Sequence, residues 1–158
     1  MKFADFLSRE VIRVPLQARD KEGVIREMVQ VLADAGKLEP EQYERAVTIV
    51  LKREELGTSG IGRGVAVPET SCRGVDRLLA SFGRSPEGVD FDSLDGEPVY
   101  VFFLLLSPPD RPGDTLRALE HISRHLRDDA WLARLRTAET PEETWHLFKE
   151  ADHTRCNR

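Results

Sequence analysis

The chain has 158 residues, of which 40% are hydrophobic and 32% charged, and its formal net charge at pH 7 is -5. This length and apolar content fit a packed domain rather than a disordered chain, and two cysteines are too few for a disulfide framework. A mildly acidic chain without a basic stripe gives no electrostatic support for binding nucleic acid, and its longest apolar run, Val99 to Leu106, is too short to insert into a membrane. We expect a cytoplasmic protein with one domain over residues 1–150 and a frayed polar tail over residues 151–158.

The first third of the chain predicts a strand followed by two helices. The strand is expected at residues 11–16. Asp20 can cap a first helix whose apolar residues recur with helical spacing, and Gly36 ends it. Pro40 suits the start of a second amphipathic helix, and Gly57 suits its end.

The rest of the chain predicts three strands and then three helices. The strands are expected at residues 65–67, 78–82 and 99–106, and the helices begin near Asp114, Asp129 and Thr140. The last strand is continuously apolar, which indicates burial on both faces and requires helices above and below the sheet. The order β-α-α-β-β-β-α-α-α therefore predicts an α/β (α+β) fold, a three-layer α/β/α sandwich around a mixed sheet.

A glycine-dense motif joins the second helix to the next strand. It reads Arg53-Glu54, two residues, Gly57-Thr58-Ser59-Gly60-Ile61-Gly62, and then Ala66-Val67-Pro68-Glu69. This run resembles the active-site segment of the bacterial phosphotransferase-system IIA proteins, in their fructose/mannitol and nitrogen-regulatory class. A second run, from Gly83 to Val99, also resembles that family, whose fold is an α/β/α sandwich. We expect the nitrogen-regulatory branch rather than the sugar-transport branch, since the sequence reads as a free-standing domain without a IIB or membrane segment.

The resemblance implies a pocket that once held a phosphoryl group. In the family, a His at the position of Glu69 receives this group from a phosphohistidine carrier and passes it on, and a second His often assists. That second position falls near Thr115. Hydroxyl groups can bind phosphoryl oxygens beside a cation, and so can backbone N–H groups where glycines allow a close approach. The predicted site residues are Arg53, Thr58, Ser59, Gly60, Gly62, Glu69 and Thr115.

Three interpretations of Glu69 remain open. Its carboxylate beside Arg53 could stand in for the phosphorylated His, with one negative charge rather than nearly two. It could instead accept a phosphoryl group as an acyl phosphate, or the position could have drifted after transfer was lost. A displaced acceptor among Thr70, Ser71 and Cys72 is a further alternative, although a shift of about 1 Å spoils the geometry of transfer.

These observations lead to two hypotheses of function. The first is a transfer-inactive regulatory module that binds another protein, such as a phosphocarrier protein, a sensor kinase or a transporter. The second is an active phosphotransferase with an acceptor other than His. Neither requires a cofactor. His121 and His125 have the spacing of metal ligands on a helix, but without a third ligand we expect solvated or capping roles and no metal site.

Overall fold

A computed structural model describes residues 1–156 as a mixed sheet between two layers of helices. The strands are β1 (Ile12–Arg13), β2 (Gly60–Gly62), β3 (Val65–Ala66), β4 (Glu69–Ser71), β5 (Leu79–Val89) and β6 (Val99–Ser107). The helices are α1 (Lys21–Asp34), α2 (Tyr43–Leu56), α3 (Pro112–Leu126), α4 (Asp129–Thr137) and α5 (Pro141–Cys156). Within residues 1–156, none of these helices combines the length and apolarity needed to cross a bilayer.

Strand β6 is the centre of the sheet. The strand order is β1-β5-β6-β3-β2, with β4 pairing β6 beyond β3. Strand β6 runs antiparallel to β5 but parallel to both β3 and β4, so the predicted mixed sheet is confirmed. Side chains from Val101 to Leu106 are fully buried, as expected of a strand covered on both faces.

The two faces of the sheet are covered by different helices. On one face α1 packs against β5, and the Ser81 hydroxyl donates a hydrogen bond to the carbonyl of Met28 in α1. On the other face, the ring of Phe82 lies 5.0 Å from that of Phe103 and 5.1 Å from that of Phe148 in α5. The predicted three-layer α/β/α arrangement is therefore confirmed.

Several predicted boundaries need correction. The first strand is limited to Ile12–Arg13, because Val11 belongs to a 3-10 turn and only these two residues pair with β5, which leaves residues 14–16 outside the strand. Strands β2 and β4 were not predicted, since each has only three residues; β2 pairs with the short strand β3, and β4 pairs with the long central strand β6. The Asp20 cap of α1 is confirmed by a 2.8 Å hydrogen bond from the Gly23 amide to its carboxylate.

The prediction of a frayed tail is wrong for its first residues. Helix α5 continues to Cys156, and Ala151 and Asp152 are buried. The Asp152 carboxylate accepts hydrogen bonds from the amides of Phe3, at 2.7 Å, and Ala4, at 3.0 Å, and so fixes the N-terminal turn against α5. The last two residues of the predicted tail, 157–158, lie outside the described residues.

The expected solvated or capping role is also wrong for His121. This side chain is buried, and its ring lies 4.4 Å from the ring of Phe3. His125 lies 5.0 Å from the same ring, so both histidines pack beneath the N-terminal segment.

Candidate functional site

The candidate site lies where the C-terminus of α2 meets the start of β4. The guanidinium of Arg53, in the last turn of α2, places Nη2 3.8 Å from Oε1 of Glu69, the first residue of β4. A cation is favoured at this end of a helix, where the backbone carbonyls point outward. The Arg53 side chain also donates a 3.3 Å hydrogen bond to the Gly57 carbonyl. The structure therefore brings together the two residues on which the sequence interpretation of the site depends.

Glu69 is held in a partly buried position by the sheet. It lies opposite Leu105 of β6 in the parallel register, and its side chain is 29% exposed. Burial raises the pKa of the Glu69 carboxyl, and the nearby Arg53 charge lowers it by a smaller amount, so the net direction is upward. The ion pair is long and half-exposed, and we expect it to contribute little to stability by itself.

The raised pKa predicts a pH-dependent effect of replacing Glu69 by Gln. A carboxyl whose pKa is higher in the folded chain stabilises the fold while protonated. That contribution is complete below the unfolded pKa and disappears as the pH rises through the folded pKa. The stability of Glu69→Gln relative to wild type should therefore increase as the pH rises from about 4, near the unfolded pKa of a Glu carboxyl, through the raised folded pKa. Urea unfolding of both proteins at several pH values measures this, and a relative stability that falls with pH would contradict the prediction.

A buried carboxylate behind the site holds residues 57–62, the glycine turn, in place. Glu54 is 7% exposed, and its two oxygens accept hydrogen bonds from the Ser59 amide at 3.0 and 3.2 Å. The ammonium of Lys21, at the start of α1, lies 2.9 Å from the same carboxylate. Lys21 also lies 3.4 Å from Asp92 and 4.9 Å from the centre of the Phe91 ring. The turn is thus tied to both α1 and the β5–β6 connection.

The predicted hydroxyl groups have different surroundings. The Thr58 hydroxyl donates a 2.6 Å hydrogen bond to the Phe91 carbonyl and accepts one from the Gly60 amide at 3.0 Å. The hydroxyl proton is therefore used in a hydrogen bond within the protein and is not available to bind an anion. The Ser59 hydroxyl is buried and has no hydrogen-bond partner among the described residues, so it keeps an available donor.

The two predicted glycines are required by the geometry of the turn. A Cβ atom on Gly60 would lie 3.0 Å from the backbone and side chain of Ser93, tighter than ordinary contact. Gly62 has a φ of 97°, a conformation that favours glycine. Both residues shape the backbone that carries Thr58 and Ser59, which agrees with the structural part of the prediction; binding of an anion there stays a prediction.

Thr115 lies in the first turn of α3, after the end of β6. It is buried, and its hydroxyl has no hydrogen-bond partner within residues 1–156. Strands β4 and β6 are parallel, so their C-terminal ends lie at the same edge of the sheet. Helix α3 follows β6 and therefore begins at that edge. Its membership of the site stays a prediction.

The alternative acceptors after Glu69 differ in accessibility. Ser71 is exposed, and Thr70 is half-buried with its hydroxyl 3.3 Å from the Ser71 carbonyl. The thiol of Cys72 is fully buried, and this burial raises its pKa despite the charge of Arg45. A buried thiol that keeps its proton is a poor nucleophile.

Sequence reasoning missed Glu54 and Lys21 as site residues. Glu54 directly follows Arg53 in the motif, and that position was the only available signal of its importance. Lys21 is 33 residues from Glu54 and shows no pattern that connects the two. Only the packing of α1 against α2 brings them together.

Comparison with known proteins identifies a family for the chain. Residues 5–151 match the family model described as "Phosphoenolpyruvate-dependent sugar phosphotransferase system, EIIA 2". The chain is 37% identical over 139 residues to a nitrogen regulatory protein of Bradyrhizobium diazoefficiens, which covers 87% of this chain and 88% of that protein. It is 34% identical over 153 residues to the fructose-specific EIIABC component of Bacillus subtilis, covering 96% of this chain. The chain spans only 24% of the length of that component.

Solved structures show the same fold. The crystal structure of the nitrogen regulatory protein IIA-Ntr from Neisseria meningitidis is 27% identical, with a TM-score of 0.82, and the match covers 92% of this chain and 98% of that one. The mannitol enzyme IIA of Escherichia coli, solved in complex with phosphorylated enzyme IIB, is 23% identical with a TM-score of 0.75. That match covers 91% of this chain and 97% of the other, and at this identity it shows the fold alone.

Proposed function

We propose that this chain, which belongs to the EIIA 2 family of the phosphoenolpyruvate-dependent sugar phosphotransferase system, is a nitrogen-regulatory IIA-like protein that binds another protein without carrying a phosphoryl group. The observation that supports this function is the contact between Glu69 and Arg53, 3.8 Å apart, at the position where the family resemblance places the phosphorylated His. The fold and the glycine turn of a IIA domain are kept, while the nucleophile is replaced by an anion.

The chemistry of the acceptor position argues against transfer. Phosphoryl transfer from a phosphohistidine carrier needs a nucleophile near neutral pH, a role for which a neutral imidazole is well suited. Glu69 offers a carboxylate instead, and the resemblance places Thr115 where a second imidazole often lies. The chain therefore lacks both imidazoles of the family pocket, although Arg53 and the Ser59 hydroxyl remain.

Glu69 imitates or replaces the phosphorylated state in this proposal. Its ionised carboxylate supplies an anion beside Arg53 that does not depend on phosphorylation, with one negative charge where a phosphoryl group would bring nearly two. The protein surface then stays in one state, whatever the phosphorylation state of the carrier. Simple drift at position 69 predicts the same lack of transfer, but it predicts no effect of Glu69→Gln on partner binding.

The proposed partner is a protein: a phosphocarrier protein, a sensor kinase or a transporter. The related mannitol enzyme IIA was solved in complex with a protein, phosphorylated enzyme IIB, which is consistent with such a surface in this fold. The acidic formal charge of -5 gives no support to a nucleic-acid partner, and the proposal needs no membrane insertion.

Radiolabel transfer tests the proposal. The purified chain is mixed with phosphocarrier protein that has been phosphorylated with radioactive phosphate, and a nitrogen-regulatory IIA protein with its His serves as the positive control. We expect the control to take up the label and this chain to remain at background. Stable labelling of the wild-type chain would overturn the proposal.

The alternative function, an active phosphotransferase, is favoured by one observation. Glu69 keeps 29% of its side chain exposed, so a phosphorylated carrier could reach its carboxylate. Label that hydroxylamine removes would identify an acyl phosphate on Glu69. Label that resists hydroxylamine would point to Thr70 or Ser71, and mass spectrometry of the labelled peptide would separate these from the buried Cys72.

A further inference from the structure

A cavity of about 290 Å³ lies between the N-terminal segment, the end of α1 and the start of β5. It is lined by residues 4–8, Val11, Leu32, Lys37 and residues 77–80, and we call it the N-terminal cavity. Ligand sites in proteins commonly measure about 300–1,000 Å³. The N-terminal cavity is at the lower end of this range and therefore suits a small molecule.

The wall of the N-terminal cavity is apolar and ordered. Six of the lining residues are buried hydrophobic residues: Phe6, Leu7, Val11, Leu32, Leu79 and Ala80. The segment that carries the first two is fixed to α5, because the amides of Phe3 and Ala4 donate hydrogen bonds to Asp152. An apolar group of a ligand would meet this wall without much additional ordering of the protein.

Two cationic side chains line the same cavity. Lys37 and Arg77 are both exposed, and neither forms a salt bridge within residues 1–156. The pKa of the Glu10 carboxyl is lowered chiefly by a hydrogen bond with Ser8, and the Lys37 charge adds a smaller effect. Both cations are therefore available to a carboxylate from outside the chain.

Groups that can accept hydrogen bonds from an ammonium also line the cavity. The Asp5 carboxylate accepts a 2.8 Å hydrogen bond from the Lys2 amide and keeps further acceptor sites. Strand β1 pairs with β5 only at residues 82–83, so within residues 1–156 Leu79 and Ala80 have no strand partner on that side. Alternate residues of a strand direct their N–H and C=O groups to opposite sides, so one of these two offers both groups there.

We propose that the N-terminal cavity binds a free amino acid with an apolar side chain. The carboxylate of the ligand pairs with Lys37 or Arg77, its ammonium group pairs with Asp5, and its side chain packs on the apolar wall. This inference goes beyond the proposed function and does not depend on it.

The N-terminal cavity is separate from the candidate site. Leu79 pairs with Leu106, and Glu69 pairs with Leu105, so the two lie toward the same edge of the sheet but on opposite sides of β6. Neighbouring strands are about 4.8 Å apart, which places β4 and β5 roughly 10 Å from each other. The described residues that line the cavity include none of the predicted site residues. Binding there would be a property of different side chains.

Other small ligands match fewer of these groups. Inorganic phosphate would pair with the cations, but it would leave the apolar wall in contact with water and bring negative charge toward Asp5. An apolar carboxylic acid, or the C-terminus of a peptide, brings a carboxylate without an ammonium group beside it. A free apolar amino acid is the ligand that uses the cations, Asp5 and the apolar wall together.

The test titrates the full chain with L-leucine and with three matched compounds. Isocaproate is leucine without its ammonium group, isoamylamine is leucine without its carboxylate, and glycine lacks the apolar side chain. We expect leucine to shift the backbone amide NMR signals of residues 4–8 and 77–80 with a Kd of about 1 mM or less. Each matched compound should bind at least about tenfold more weakly, because it leaves one set of groups without a partner.

Variants of the chain assign the charged groups. Asp5→Asn should weaken leucine binding by about tenfold and leave isocaproate binding unchanged, since isocaproate has no ammonium group. The double variant Lys37→Gln with Arg77→Gln should weaken both ligands by at least about tenfold. The matched charge control is Lys52→Gln, because Lys52 is exposed on α2 and does not line the cavity, and it should bind like wild type. Thermal unfolding verifies that each variant is folded.

The amino-acid proposal is overturned if leucine causes no saturable shift, if the shifted signals lie elsewhere, or if isocaproate or isoamylamine binds as tightly as leucine. Folded Asp5→Asn that binds leucine like wild type, or tighter binding of inorganic phosphate than of leucine, would also overturn it. These outcomes are separate from those of the labelling experiment. A chain that takes up label but binds leucine as described would lose its proposed function and keep this ligand site.

Discussion

The variant Glu69→His should accept a phosphoryl group from phosphorylated phosphocarrier protein, while the wild-type chain remains at background. The reason is that the imidazole supplies the missing nucleophile at a position that the structure already fixes. Residue 69 begins β4, is paired with Leu105 of β6, and lies beside the guanidinium of Arg53. The label should be labile to acid and stable to base, as expected of a phosphohistidine.

The rate of this reaction should depend on the groups that surround the new His. With Thr115 in place of a second imidazole, we expect transfer to be about 10²- to 10³-fold slower than in a IIA protein with both histidines, the usual effect of losing one oriented donor. Adding Arg53→Ala to Glu69→His should slow transfer by a similar factor. Initial rates of labelling measure both effects.

A folded Glu69→His variant that takes up no label would contradict this expectation. In that case the surrounding pocket would have lost the ability to support phosphoryl transfer, as well as the His. Drift would then account for Glu69 better than imitation of a phosphoryl group. Equal labelling with and without Arg53 would show instead that the guanidinium does not act on the phosphoryl oxygens.

The variant Glu54→Ala should be destabilised by about 2–4 kcal/mol. The substitution removes both acceptors of the Ser59 amide. Among the described residues it leaves the mostly buried Lys21 ammonium with only Asp92 as an ionic partner. Because Glu54 is almost fully enclosed, water cannot replace these interactions without a rearrangement of the turn. Urea unfolding monitored by circular dichroism gives the free energy of unfolding.

The matched variant Glu54→Gln separates packing from charge. Glutamine keeps the volume and one acceptor for the Ser59 amide, so we expect a smaller loss of about 1–2 kcal/mol. A Glu54→Ala variant as stable as wild type would show that the buried carboxylate does not fix the glycine turn. In the Glu69→His background, Glu54→Ala should also reduce labelling, because the turn beside Arg53 would no longer be held.

The long elements of this fold could be predicted because their signals are local. The Asp20 cap lies three residues from the amide it binds. The continuous apolar run at 99–106 by itself indicates a buried strand. Short strands have no such signal. Strand β4 is three residues long and exists because Glu69 pairs with Leu105 across the sheet.

Contacts between distant residues account for what the sequence did not reveal. The polar composition after Ala151 suggested a frayed tail, yet Asp152 binds the Phe3 amide, 149 residues away. Similarly, the sequence shows Glu54 as an ordinary charged residue of an amphipathic helix. Its role depends on Lys21 and the Ser59 amide, which only the fold brings beside it. The position of Glu69 beside Arg53 could be predicted, because the glycine motif and its spacing resemble those of a known family.

The most direct test of the central claim is the intact mass of the wild-type chain after incubation with an excess of phosphorylated phosphocarrier protein. We expect the mass to stay unchanged, because a carboxylate at position 69 leaves the site without its nucleophile. A gain of one phosphoryl group, mapped to Glu69 or to a residue beside it, would contradict the claim and establish the chain as a phosphotransferase.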